Sequence, residues 1–234
     1  MKLAVIRPST SLVEEVCLQL SSRIREEHSN GDGWLPPERA LAEQLGVSRP
    51  VVREATKRLE MQGMLEIRHG SGIKVVDRLH KPLNGSLALL VPHEKDRLRQ
   101  LIEVRLALEP ENARLAAERA SAADIKTLKS IHRRFETGGD FDIQVRADME
   151  FHCALAEASG NKISSLLMHS LSDLLESSLT HGYKRVTKHK AVADHAAVLA
   201  AVLSRDGEAA AVAMKQHIIN ARADLGLKQF PSRR

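Results

Sequence analysis

The sequence predicts a mainly α-helical protein with one small β-hairpin near the N-terminus. Apolar residues recur at the three- and four-residue spacing of a helix through most of the 234 residues. Two short segments, 64–67 and 73–76, instead have the composition of strands and flank a glycine-rich turn. Aromatic residues make up only 3% of the chain, so we expect cores built from aliphatic side chains.

Three predicted helices precede the hairpin, at about 10–29, 38–45 and 49–62. Residues 34–37 are expected to be extended because their prolines disfavour helical backbone in the preceding residue. On the third helix we expect Ser48 as the N-cap and an inward face of Val52, Ala55, Leu59 and Met61. This order of helices, turn and hairpin is that of a winged helix-turn-helix, whose last helix enters the major groove of DNA.

The third helix carries basic residues on the side opposite its apolar face. The ten residues from Arg49 to Arg58 contain four basic side chains and one acidic one, whereas residues 1–76 have eleven Lys and Arg against ten Asp and Glu. Arg49 and Arg53 are one turn apart, so both can reach the base edges, while Lys57 is better placed for phosphates. A basic helix face alone is commonly just solvated, but the surrounding order of elements favours DNA binding.

From residue 94 to near the end the pattern is helical, without a predicted strand. Cap residues and glycines divide it into candidate helices at 94–119, 122–137, 140–159, 162–182, 187–204 and 207–225. Pro110 is expected to kink or split the first of these, which gives an all-helical bundle of six or seven helices. The predicted domains are therefore the winged helix-turn-helix at 1–77, a linker at 78–92 and the bundle at 93–234.

One carboxylate and three histidines of the bundle form a candidate metal site. Asp148 and His152 lie four residues apart on one predicted helix, so their side chains share a face. His195 and His217 lie among apolar or small residues of the last two helices. These donors suit Zn²⁺ first, with Ni²⁺, Mn²⁺ or Fe²⁺ as alternatives, and they leave coordination positions open. Histidines on apolar faces are also common as hydrogen-bonded core residues, so spacing alone leaves both interpretations open.

Residues 10–76 resemble the GntR family of bacterial regulators. The resemblance lies in the segments 35–42, 46–49, 52–55 and 69–72, with Leu59 and Gly63. It implies a wing near the minor groove, a recognition helix whose cap bonds a phosphate, and DNA contacts by Arg39, Ser48, Arg49, Arg53, His69 and Gly70.

Residues 94–226 resemble the all-helical ligand domain of the fatty-acid-regulator (FCD) subgroup. The matching segments are 101–109, 113–117, 148–152 and 158–161, with His195 and His217. The resemblance implies a divalent metal held by Asp148, His152, His195 and His217. It also implies that Arg105 helps to bind a carboxylate effector. On the sequence alone, Glu103, Arg105 and Glu109 fit ordinary surface charges that include an i,i+4 pair.

Together these patterns predict a transcriptional regulator that binds palindromic operator DNA as a homodimer. One helix-turn-helix reads about half a turn of groove, so useful affinity needs a two-fold dimer. A small carboxylate, such as a hydroxy acid or sugar acid, is expected to bind at or near the metal and to change operator affinity. The alternatives are a metal-dependent enzyme acting on a small carboxylic acid, for which no HExxH or comparable motif is present, and a DNA-binding architectural protein.

The two cysteines, Cys17 and Cys153, have no CxxC spacing and indicate a reducing compartment rather than a disulfide framework. Cys153 neighbours His152 but points about 100° away from it, so we do not count it as a metal ligand, and we expect it in the core. No apolar run is long enough to span a membrane, and no signal peptide is recognisable. We therefore expect a cytoplasmic protein without a membrane partner.

Overall fold

The computed structural model describes residues 11–27, 33–68, 71–82, 86, 90–91, 93–183 and 189–227. The chain forms two compact units that divide between Pro82 and Leu83. Each unit has its own buried apolar core. Within the described ranges, no helix is long and apolar enough to cross a membrane.

The described part of the N-terminal unit contains three helices and a three-stranded antiparallel sheet. The elements are α1 (Leu12–Glu27), β1 (Trp34–Leu35), α2 (Glu38–Leu45), α3 (Arg49–Met61), β2 (Leu65–Arg68) and β3 (Gly72–Val75). The sheet order is β1-β3-β2, with Leu35 of β1 opposite Ile73. The predicted winged helix-turn-helix is confirmed, and β1 extends the predicted hairpin by one short strand.

The apolar face of α3 forms the centre of this unit. Val52, Ala55 and Leu59 are buried as predicted, in one cluster with residues of α1 and α2. Met61 is 77% exposed, so the prediction that it faces inward is wrong. It follows Leu59 by two residues, which places it about 200° around the helix. Ser48 stands at the predicted N-cap position, but its side chain makes no capping hydrogen bond.

The C-terminal unit is an all-helical bundle with seven helices among its described residues. They are α4 (Glu94–Arg119), α5 (Ala122–Thr137), α6 (Phe141–Ala158), α7 (Lys162–Ser170), α8 (Ser172–Tyr183), α9 (His189–Leu203) and α10 (Gly207–Asp224). Helix α4 continues through Pro110, so the expected split there does not occur. The predicted helix 162–182 instead divides at Leu171, whose N–H bonds the carbonyls of both Leu167 and Met168 at 3.1 Å.

Side-chain caps fix where the helices that carry the candidate site begin. The Asp140 side chain accepts a hydrogen bond from the N–H of Asp142 at the start of α6. Asp206 does the same with Ala209 at the start of α10. The core that joins α4, α6, α9 and α10 includes Ile102, Phe151, Val198, Met214 and Ile218. The predicted burial of Cys153 is confirmed.

Candidate metal centre and nucleic-acid interface

The bundle brings together the four residues predicted as metal ligands. Asp148 and His152 come from adjacent turns of α6, His195 from α9 and His217 from α10. Each is at most 3% exposed. One carboxylate oxygen or ring nitrogen from each lies within 4.8 Å of the others.

The closest atoms of the cluster are Asp148 Oδ1 and the histidine Nε2 atoms. Asp148 Oδ1 lies 3.0 Å from His152 Nε2 and 3.5 Å from His195 Nε2. The Nε2 atoms of His152 and His217 are 3.4 Å apart. Edge-on and stacked contacts between the rings hold them in this arrangement, with centroids 4.7–5.2 Å apart. Three imidazoles and one carboxylate therefore converge on one point.

The hydrogen bonding of the cluster fits a cation better than a closed polar network. Neither ring nitrogen of His195 has a hydrogen-bond partner of good geometry among the described residues, although the ring is fully buried. Leaving such a group unsatisfied costs about 1–3 kcal/mol, and a coordinated ion would offset this cost at one of the two nitrogens. Imidazole and carboxylate donors in this number suit Zn²⁺ and other divalent transition metals. The residues present could therefore hold a metal ion.

The charge states of Asp148, His195 and His217 also suit metal binding, which requires neutral imidazoles and an ionised carboxylate. Burial lowers the pKa of His195 well below its ordinary value and lowers the pKa of His217. Burial would raise the pKa of Asp148, but the imidazoles of His195 and His152 hold it below its ordinary value. His152 differs, because Glu109 raises its pKa despite burial.

Glu109 is a buried acidic residue that the sequence interpretation placed on the surface. Arg105 and Glu109 are only 1% and 2% exposed, so the surface-charge interpretation is wrong for both, whereas Glu103 is exposed. Arg105 Nε donates to Glu109 Oε1 at 2.5 Å, and Glu109 Oε2 lies 2.6 Å from His152 Nδ1. Arg105 follows the buried Ile102 by three residues, and Glu109 follows Arg105 by four. This helical spacing is the signal in the sequence that both residues face the core.

A small cavity lies beside the cluster, and its polar lining is Arg105, Asp148, Ser178, Asp194, His217 and Asp224. Its volume is about 30 Å³, which is room for about one water molecule. A small organic acid would therefore have to widen it. Arg105 Nη2 is also 3.2 Å from His152 Nε2, so an anion bound at the cluster would be within reach of this guanidinium.

In the N-terminal unit, the five predicted DNA-contacting residues within the described ranges are all exposed. They are Arg39, Ser48, Arg49, Arg53 and Lys57. His69 and Gly70 lie outside the described residues. Arg53 has a feature that the sequence interpretation missed, because its Nε and Nη2 donate to Glu38 Oε2 at 3.2 and 3.1 Å. This carboxylate from α2 fixes the direction of the Arg53 guanidinium.

His169 lies outside the cluster and contacts Glu157 at 2.8 Å. Hydrogen bonds to Cys153 and Glu157 raise the pKa of His169 to about 10. The pKa of a histidine in the unfolded chain is about 6.5. The contribution of His169 to the free energy of unfolding is therefore complete below about pH 6.5 and is lost as the pH rises through about 10. Urea denaturation should therefore show the free energy of unfolding falling across this range, and falling less in His169→Gln. The same pH dependence in both proteins would contradict this assignment.

Comparison with known proteins identifies a family for each unit. Residues 12–75 match the bacterial regulatory proteins of the gntR family, and residues 100–220 match the FCD domain. The HTH-type transcriptional regulator LutR of Bacillus subtilis (strain 168) is 31% identical over 77% of this chain and 86% of its own. The Uxu operon transcriptional regulator of Escherichia coli (strain K12) is 31% identical over 91% and 86% of the two chains. The solved structure of Streptococcus agalactiae GntR has 28% identity and a TM-score of 0.75, and the match covers 90% of this chain and 99% of that one.

These relatives extend over both units and are named as transcriptional regulators. Their names confirm the prediction that the chain is a transcriptional regulator and do not support the alternative of a metal-dependent enzyme. DNA binding is the function of the family that matches the N-terminal unit. The chain therefore belongs to the GntR family of bacterial transcriptional regulators and carries a C-terminal FCD domain.

Proposed function

We propose that this regulator is controlled by a small carboxylate that binds at or near a divalent metal in the C-terminal unit. The metal ligands would be Asp148, His152, His195 and His217. The observation that carries the proposal is the convergence of their four buried donor atoms within 4.8 Å. Zn²⁺ is the ion we expect first, and Ni²⁺, Mn²⁺ and Fe²⁺ suit the same donors.

The effector class follows from the charge at the cluster. A divalent ion with one carboxylate and three neutral imidazoles retains about one positive charge and open coordination positions, which favour an anionic oxygen ligand. Arg105 would donate hydrogen bonds to the same anion from the cavity wall. A small hydroxy acid or sugar acid supplies both a carboxylate and a neighbouring hydroxyl. Its binding would change operator affinity only by favouring one arrangement of the protein.

The DNA-bound form would be a homodimer on a palindromic operator. One α3 helix covers only about half a turn of groove, so two copies related by a two-fold axis would read two half-sites. Arg49 and Arg53 would read base edges. The phosphate backbone or the edge of the groove would be contacted by Arg39, Ser48 and Lys57. His69 and Gly70 would reach the minor groove from the wing. Such a regulator would act in the cytoplasm, where its operator is.

Elemental analysis tests the metal directly. Protein prepared without chelators or a histidine tag should contain close to one divalent ion per chain, and His195→Ala should contain little. His132→Ala is the matched control, because it removes a half-buried imidazole of the same unit that is not among the four proposed ligands. At a metal concentration of about 100 times Kd, bound metal should stabilise wild type by about 2.7 kcal/mol. Wild-type protein that holds no metal, even after reconstitution, would contradict the proposal.

A further inference from the structure

The buried chain Arg105–Glu109–His152 connects the cavity wall to the proposed metal ligands. Glu109 is placed on α4 so that its carboxylate contacts both Arg105 and His152. Oε1 accepts from Arg105 Nε at 2.5 Å, and Oε2 accepts from Arg105 Nη2 at 3.4 Å and lies 2.6 Å from His152 Nδ1. The opposite ring nitrogen, His152 Nε2, faces Asp148 at 3.0 Å and His217 at 3.4 Å, with Arg105 Nη2 at 3.2 Å. The carboxylate and the cluster therefore bind opposite sides of one imidazole.

This geometry fits one tautomer of a metal-bound His152. A histidine that ligates a metal offers one nitrogen to the ion, and the hydrogen bond at the other nitrogen sets which tautomer is present and where the ring points. In a metal-bound His152 the Nε2 lone pair would go to the ion and the ring proton would stay on Nδ1, which lies 2.6 Å from the Glu109 carboxylate. We propose that Glu109 is the positioning residue for His152, and that it sets the metal affinity of the site. The inference rests on the metal site proposed above.

The other two imidazoles of the cluster are held differently within the described residues. His217 Nδ1 lies 3.5 Å from Asp194 Oδ2, a longer contact to a less buried carboxylate. His195 is held by ring packing, with its centroid 4.2 Å from Phe151 and 5.0 Å from Phe135. His152 is thus the ligand whose orientation depends most on a carboxylate. A loss of Glu109 should therefore affect metal binding more than a loss of Asp194.

The first test titrates wild type and Glu109→Gln with Zn²⁺ alone in the presence of a competing chelator. Glutamine keeps the shape of the side chain but loses the charge that holds the Nδ1 proton. We expect Zn²⁺ affinity to fall about 10–100-fold. Glu103→Gln is the matched control, because this residue is exposed on the same helix, and it should bind Zn²⁺ as wild type does. Equal affinity in wild type and Glu109→Gln would overturn the inference alone, whereas no binding to wild type would overturn the metal site itself.

A second pair of variants keeps the inference testable if Glu109→Gln does not fold. The double variant Arg105→Gln/Glu109→Gln leaves no unpaired buried charge, and Arg105→Gln alone keeps the carboxylate at His152. The double variant should bind Zn²⁺ about 10–100-fold more weakly than Arg105→Gln. Equal affinities in this pair would contradict a positioning role.

A spectroscopic readout separates positioning from a purely structural role. In ¹H–¹⁵N spectra of Zn²⁺-loaded wild type, His152 should carry its proton on Nδ1, and that proton should exchange slowly with water. In Zn²⁺-loaded Glu109→Gln, the same proton should exchange rapidly or be absent. An unchanged His152 signal in the variant would show that Glu109 only neutralises Arg105, and the inference would be wrong.

Discussion

Replacing Arg105 with methionine is expected to lower the free energy of unfolding of the metal-free protein by about 3 kcal/mol. The substitution fills a similar volume but leaves the carboxylate of Glu109 buried without its guanidinium partner. Breaking a buried ion pair costs roughly 3–5 kcal/mol, and His152 remains as a second partner for Glu109, which argues for the lower end of this range. Urea denaturation of the metal-free protein measures the effect.

The same helix provides a matched control for this prediction. Arg99 and Glu103 form an i,i+4 pair at 3.3 Å, in the same relation as Arg105 and Glu109, but both side chains are exposed. Arg99→Met should therefore change stability by no more than about 1 kcal/mol. Adding Glu109→Gln to Arg105→Met should recover part of the loss because it removes the unpaired charge. Wild-type stability in Arg105→Met alone would mean that Glu109 is not a buried ionised partner.

Replacing Arg53 with alanine is expected to weaken operator binding by about 1–3 kcal/mol and to relax base preference at one position of each half-site. In the free protein, Glu38 contacts the Arg53 guanidinium at 3.1 Å and so favours one direction of this exposed side chain. Arg49→Ala should have a similar effect at a neighbouring position, because the two residues are one turn apart on α3.

Lys57→Ala is the comparison that separates base reading from charge. A phosphate contact carries no sequence information, so this variant should weaken operator and scrambled DNA alike and reduce the salt slope by about one. Footprinting and binding titrations on both DNAs measure the difference. If Arg53→Ala bound the operator with unchanged affinity and specificity, α3 would not be the recognition helix.

The features that were predicted correctly from the sequence are those with a local cause. Helix positions in the bundle follow from periodicity and from cap residues such as Asp206, which bonds the first turn of α10. Asp148 and His152 share a face because of their spacing alone. His195 and His217 were grouped with them by residue type and by the family resemblance. Their closeness in space is a property of how α9 and α10 pack against α6.

The features that were missed depend on contacts between distant residues. The burial of Glu109 depends on His152, 43 positions later, whose ring contacts the buried carboxylate. A charged residue on an apolar helix face gives no local sign of such a partner. The pairing of β1 depends on β3, and the bond from Arg53 to Glu38 joins two helices. Met61 was placed inward because of its apolar side chain, although its position two residues after Leu59 puts it on the exposed face.

Control of operator binding by a carboxylate at the metal site is tested most directly by titrating the protein–operator complex with a panel of small carboxylic acids. The proteins compared are metal-loaded wild type, His195→Ala and Arg105→Lys, where lysine keeps a cation beside Glu109 but loses the bidentate fork. We predict that a hydroxy acid or sugar acid changes the operator affinity of wild type by about 5–150-fold and has little effect on either variant. An acid that releases operator DNA equally well from all three proteins would contradict this mechanism, because neither the metal site nor Arg105 would then be the sensor.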